Sequence, residues 1–311
     1  MSATSHVRPR VPLWAMLATP FVGWDARVDE GSMRRYCHAV VERGCGALVV
    51  LGVIGEPDTL DAAEKHQVVR TALESGDVPV YAGLMTADPR RRLADAAALN
   101  RAFGRDIAGY LVPVDTPNAA MLAGRLCELQ RVVQRPLVVQ DYPASTGVSI
   151  AVPDLVRAVR DCPEVTAIKC EAAPTFDRIR ALGALVPDVA LISGLGGLSL
   201  LDDLAQGATI AACGISRPEV IARAVQRWCR GDDAGARQLV NSIGTTIGFE
   251  IQAGTSIAIR KEHWRRQGVL STAVVRPPTR PYEAYLQSLS EAHGFVDSGQ
   301  RTLPGPTDRS Q

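Results

Sequence analysis

The sequence predicts a closed (β/α)8 TIM barrel, an α/β fold, followed by a small helical C-terminal extension. Three observations predict it. Short apolar, β-branched runs recur eight times, most of them about 30 residues apart, the length of one strand-helix unit. Segments with helix-start signals fill the intervals. The runs are apolar on both faces, with little antiparallel-type alternation, as in a parallel sheet covered by helices. An open doubly wound sheet is the alternative fold with the same ingredients.

The runs are 13–17, 47–51, 78–82, 108–112, 136–139, 165–168, 189–192 and 209–212. Asp61-Ala-Ala-Glu64 has capping-box spacing ahead of a polar helical stretch, 62–74. Asp88-Pro89 puts Pro at a first helical position, and Thr116-Pro117 and Pro174-Thr175 mark two further starts. After the eighth run the pattern is wholly helical, with segments at 218–230, 233–249, 255–267 and 281–293. The expected organisation is an N-terminal arm (1–12), a catalytic barrel (13–231), a helical extension (232–296) and a tail (297–311). The polar ends, 1–10 and 297–311, are rich in Pro, Gly and Ser and are expected to be disordered.

Composition excludes several functions. A chain of 311 residues that is 46% hydrophobic can bury one large core. Lys+Arg 34 against Asp+Glu 33, interspersed, leaves no electrostatic footprint for nucleic acid or an anionic membrane. The apolar run 13–22 is broken by Pro20, is shorter than the ~20 residues of a membrane span, and lacks a signal-peptide cleavage site. Seven scattered cysteines without C-x-x-C spacing read as reduced thiols, so a cytoplasmic location is expected. The five histidines lack metal-ligand spacing and strand-end carboxylates are sparse, so neither a metal nor another cofactor is expected. No nucleophile elbow, Walker A loop or dinucleotide fingerprint occurs in its required context.

Of the 34 basic residues only those at 65, 169 and 261 are Lys. Lys65 lies on a polar helical stretch and Lys261 among charges in Arg260-Lys-Glu-His, so both read as solvated. Lys169 follows 165–168 and should project from a buried strand into the barrel mouth, where such barrels place their chemistry. Burial disfavours its ammonium form, and a neutral amine there is a nucleophile toward ketones. The structural alternative is a Lys paired with a neighbouring carboxylate, Glu171 being one candidate. Cys170 and Cys213 read as packed hydrophobes rather than nucleophiles.

Thr19-Pro-Phe21 at the first strand, Gly52-x-x-Gly-Glu56 with Thr59-Leu60 after the second, a strand-end x-x-x-Pro ending at Pro143, and Ile168-Lys169 at the sixth resemble the dihydrodipicolinate synthase / N-acetylneuraminate lyase superfamily. The resemblance runs in order over roughly 13–218. It implies a (β/α)8 barrel with a helical extension, in which Lys169 forms a Schiff base with pyruvate or another 2-oxo acid. It implies aldol, retro-aldol, dehydration or deamination chemistry. It also implies that backbone groups around Val53, Ile54 and Gly55 hold the 2-oxo acid's carboxylate, as donated N–H groups at a turn can.

The departures shape the expectation. The family's catalytic Tyr stands where this chain has Gln140, its two turn hydroxyls are Val53 and Ile54, and the Tyr after Pro113 is replaced by Val114-Asp115. Ser145 occupies the place of an Arg that grips an aldehyde substrate's carboxylate, which argues against the lysine-pathway condensation itself. Tyr142, Asp115, Asp141 and Glu171 are the remaining candidates for proton transfer, with Tyr142 preferred. Alternation along the strand places Gln140 and Tyr142 on one face and Asp141 on the other. Gln140 can donate to a substrate oxygen, and Val53 and Ile54 leave an apolar wall. Ser193, Gly194 and Ile210 complete the expected substrate-binding set. Glu56 reads as a helix cap. The glycines after Ser193 suit either close packing or a phosphorylated or carboxylated substrate tail.

The expected function is therefore a class I lyase making or breaking a carbon-carbon bond through a Lys169 imine, acting on a 2-oxo acid and an aldehyde. A 2-keto-3-deoxy acid dehydratase through the same imine and a catalytically inactive scaffold barrel are the alternatives. By resemblance the protein is a homo-oligomer, tetramer or dimer.

Overall fold

The computed structural model describes residues 8–297. Eight parallel strands close into a barrel: β1 Leu13–Met16, β2 Ala47–Val50, β3 Val80–Gly83, β4 Ile107–Pro113, β5 Leu137–Asp141, β6 Val165–Cys170, β7 Ala190–Ser193 and β8 Ile210–Cys213. Each strand hydrogen-bonds the next, and β8 returns to β1 with Ala15 opposite Cys213. This closure excludes the open doubly wound sheet.

The intervening helices are α1 Glu30–Glu42, α2 Ala62–Glu74, α3 Pro89–Phe103, α4 Ala119–Val133, the short α5 Pro143–Thr146 with α6 Val152–Arg160, α7 Thr175–Leu185, α8 Leu200–Ala205 and α9 Pro218–Cys229. Local chemistry sets their starts. Asp61 and Glu64 close a full capping box on α2, and Asp88 caps α3 ahead of Pro89. At α4 the cap is Asn118, which accepts from Met121 N–H, while Thr116 accepts from Asn118 N–H just upstream. An unpredicted hairpin, Phe21–Val22 with Arg27–Val28, lies between β1 and α1.

Side-chain alternation sorts each strand into two cores. Trp14, Met16, Val49, Leu111, Val138, Ala167, Ile192 and Ala212 fill the barrel interior, and a larger cluster packs between sheet and helices. Lys169 lies two residues beyond Ala167 and Gln140 two beyond Val138, so both follow the inward parity to the C-terminal end of the barrel. Cys170, Asp141 and Ser193 have the outward parity.

The extension comprises α10 Asp233–Glu250, α11 Ser256–Arg266 and α12 Leu286–Ala292. The helix expected over 281–293 is thus confined to its second half. Pro277, Pro278 and Pro281 supply no N–H to a helical ladder. Instead Arg276 ties this irregular stretch down: its guanidinium donates to Ala26 and Thr59 carbonyls and pairs with Glu64. Of the expected arm, Arg8 is held rather than disordered, with its N–H on the Cys229 carbonyl and its guanidinium paired with Asp233 over the Trp228 ring. At the other end Asp297 is likewise held, 2.6 Å from the Arg265 guanidinium, and residues 1–7 and 298–311 lie outside the described residues.

Two lysines correct the sequence expectation of solvated faces. Lys65 is buried between α2 and α3, 2.6 Å from the Asp95 carboxylate. Lys261 is fully buried, bonded to Glu56 and, at 2.9 Å, to the Val274 carbonyl. Glu56 therefore clasps the extension and does not cap α2, a role Asp61 fills. Among the described residues no helix is long and apolar enough to cross a membrane.

Candidate active site

A cavity of about 130 Å³ opens at the C-terminal end of the barrel, room for one small organic acid rather than a polymer. Its floor is β-strand ends and its roof is α11. Lys169 stands in it, only 4% exposed, with its Nζ 2.7 Å from the Glu171 carboxylate. Glu171 follows Lys169 by two residues and keeps the inward direction. The Gln140 amide donates to one of its oxygens, and the Leu195 N–H donates to the other at 3.2 Å. Gly194 makes this fold-back possible, because a Cβ there would overlap the Glu171 side chain.

Tyr142 and Gln140 share the cavity, as their alternation requires. Burial, reinforced by the charge of Glu171, raises the Tyr142 phenol above its ordinary range, so it is a proton donor rather than a base. Val53 and Ile54 form the apolar wall. They open a 3-10 turn, Val53–Gly55, so their N–H groups have no acceptor within it. Gly55 is different: its N–H bonds the Gly52 carbonyl at 2.8 Å and its carbonyl accepts from the Thr19 hydroxyl. It is removed from the expected carboxylate donors because the turn consumes its amide.

Four other expected residues lie elsewhere. Asp141 is fully buried behind the sheet against Arg178; burial raises its carboxyl although the guanidinium opposes this. Asp115 is held between Arg92 and Arg125, at 2.5 and 2.8 Å, in a neighbouring pocket. Ser193 turns outward and donates to Asp203 at 2.6 Å. Ile210 faces inward but sits at the opening residue of β8, half-buried against the apolar barrel filling at the end away from the cavity; Ala212 and Gly214, further along, line the cavity. The glycine cluster is explained by close packing: side chains on Gly196 and Gly197 would press on Ile251 and Ile221.

Sequence reasoning missed the roof. Ser256, Ile257 and Arg260 of α11 and Ile251 before it line the cavity. In sequence Arg260 stands with Lys261 in a charged run that reads as a solvated face. The available signal was that 255–267 is polar nearly all round, a pattern found where a helix bridges other parts of a protein. Cys213 also lines the cavity, but burial pushes its thiol up to about 12, which leaves no thiolate at neutral pH. No cluster of three or more potential metal ligands occurs among the described residues.

Residues 12–292 match the Dihydrodipicolinate synthetase family. The 4-hydroxy-tetrahydrodipicolinate synthase of Salinibacter ruber is 33% identical over 177 residues, 55% of this chain and 57% of that one. The synthase of the same name from Sorangium cellulosum is 26% identical over 279 residues, 89% of this chain and 92% of the relative. The crystal structure of dihydrodipicolinate synthase from Rhodopseudomonas palustris superimposes with a TM-score of 0.83 at 22% identity, covering 93% of this chain and 99% of that one. The chain belongs to the dihydrodipicolinate synthetase family and is, with it, a class I, aldolase-type lyase.

Proposed function

We propose that the protein makes or breaks a carbon-carbon bond next to the ketone of pyruvate or another 2-oxo acid, held as an imine on Lys169, with an aldehyde as second reactant or product. The carrying observation is the buried Lys169–Glu171 pair facing the cavity, 2.7 Å apart. Glu171 accepts a proton from the Lys169 ammonium, freeing the amine to add to the ketone carbon. It returns that proton to the carbinolamine oxygen, which leaves as water and gives the protonated imine. Glu171, again a carboxylate, takes a proton from the adjacent carbon to give the enamine. The enamine adds to the aldehyde carbon while the aldehyde oxygen takes the Tyr142 proton, and Glu171 then returns its proton to the phenolate. Cleavage is the reverse, and water then hydrolyses the imine.

Glu171 replaces Tyr142 as the preferred proton carrier because it already touches the lysine; Tyr142 donates to the oxygen that becomes the alcohol. The Val53 and Ile54 N–H groups receive the 2-oxo acid's carboxylate. Ser145 carries no charge for an aldehyde acid, so the substrate differs from that of the named synthases. The test is reduction with sodium borohydride in the presence of pyruvate and of a panel of longer 2-oxo acids, followed by peptide mass spectrometry. A reduced adduct on Lys169 is expected; a folded protein giving none with any of them would sink the imine mechanism. Product analysis then separates two carbon fragments from the intact skeleton that a dehydratase would leave. The cytoplasmic location and homo-oligomer, tetramer or dimer, of this reading are checked by fractionation and light scattering.

A further inference from the structure

Arg260 is 7% exposed, lines the cavity, and forms neither a hydrogen bond nor an ion pair with any described residue; its Nε is buried without an acceptor. An unpaired guanidinium taken out of water is costly, and arginine side chains stay charged in proteins. The surrounding carboxylates are all engaged. Glu171 is held by Lys169, Gln140 and Leu195; Glu250 by Ser216 and His263; Glu262 by Arg265 and Arg266; Glu56 by Lys261 and Arg276. The cavity thus holds two cationic side chains, Lys169 and Arg260, against one anionic one, Glu171. The excess is one positive charge, and converting the ammonium to a protonated imine leaves it unchanged. One bound carboxylate balances it.

We propose that Arg260, reaching down from α11, binds a carboxylate of the substrate and makes the site selective for anionic over neutral ketones. This rests on the imine reading above, but its own evidence is the unpartnered charge. Arg260 is a substrate-binding residue contributed by the extension rather than by a strand-end loop, so the roof of the barrel selects what its floor reacts with.

The test compares the wild type with Arg260→Gln and Arg260→Lys, measuring half-saturation in borohydride trapping for pyruvate, its neutral amide, and a dicarboxylic 2-oxo acid. In Arg260→Gln the pyruvate value is expected to rise ~30-fold or more, with the amide unchanged and Arg260→Lys intermediate. Weakening confined to the dicarboxylic acid would assign Arg260 to a second carboxylate, not the one beside the ketone. Equal change for charged and neutral ketones, or none, would overturn the proposal.

An arm independent of imine formation uses wild-type protein with unreactive propionate and propionamide at constant ionic strength. Propionate alone should raise the melting temperature, and should fail to do so in Arg260→Gln; equal behaviour of acid and amide in the wild type would overturn the proposal even if the variants do not fold. Absence of any borohydride adduct with propionate stabilisation intact would instead fault the imine reading and leave the anion site standing.

Discussion

Two buried lysine-carboxylate pairs sit near the same end of the barrel, yet only one is built for chemistry. Lys169–Glu171 faces the cavity, flanked by an amide side chain and a backbone N–H. Lys261–Glu56 is sealed: its ammonium also bonds the Val274 carbonyl and lies 4.2 Å above the Phe21 ring, and Glu56 spends its other oxygen on the Arg276 N–H. Burial lowers the Lys261 ammonium to about 8, against the opposing pull of Glu56, so even a perturbed amine is idle where no ketone can reach it. Access to the cavity, rather than burial or pairing, distinguishes a reagent from a clasp. A barrel strand presents Lys169, whereas a helix packed into the extension encloses Lys261.

The largest effect that would break this comparison comes from exchanging roles. Lys169→Arg should lower turnover at least ~1,000-fold and abolish the borohydride adduct, because a guanidinium keeps the charge without forming the imine. Lys261→Met should retain the adduct on Lys169. If the adduct followed Lys261 instead, the distinction would be wrong.

Next in size is stability. Lys261→Met leaves Glu56 buried without its cation, an expected loss of about 3–5 kcal/mol read from urea unfolding. Lys261→Met combined with Glu56→Leu should recover much of it, because an apolar pair removes both desolvated charges.

Gly194→Ala sharpens the other side. By displacing Glu171 from Lys169 it should lower kcat roughly 100-fold, with an adduct still trapped on Lys169. Unchanged kcat would remove Glu171 from the mechanism.

The smallest effect is on pH dependence. Between about 8 and the ordinary 10.5 of a free lysine, the unfolded chain carries the Lys261 proton that the folded chain has lost. The contribution of this group to stability should therefore rise as pH climbs through that window, and the rise should be missing in Lys261→Met. Urea midpoints measured across the window check the sign.

The barrel was legible because its signals are local. Eight apolar runs repeat at one strand-helix period, and the Asp61-Glu64 and Asp88-Pro89 starts lie where backbone donors need them. Strand parity also carried Lys169 to the mouth and Asp141 away from it. What the sequence hid was long-range pairing. Lys261 and Glu56 are 205 positions apart, and nothing local distinguishes their helix from a solvated one. The strand-end position of Ser193 suggests a place in the site, but outward parity gives its hydroxyl to Asp203. Asp115 stands in sequence as a candidate for proton transfer because Arg92 and Arg125 belong to two separate helices that meet it only in the fold. Arg260 escaped for the same reason as Lys261: the cavity roof exists only after the extension has folded back.

The burial of Lys65, Lys169 and Lys261, at 5%, 4% and 0% exposure, has an outcome beyond the site itself. These are all the lysines in the chain. Its outward positive charge is therefore carried by guanidinium groups, and no side-chain amine is presented to acylating reagents or amine cross-linkers. Such a protein is close to inert toward lysine-directed chemistry while folded, so a single covalent event at the barrel mouth stands out against a silent background.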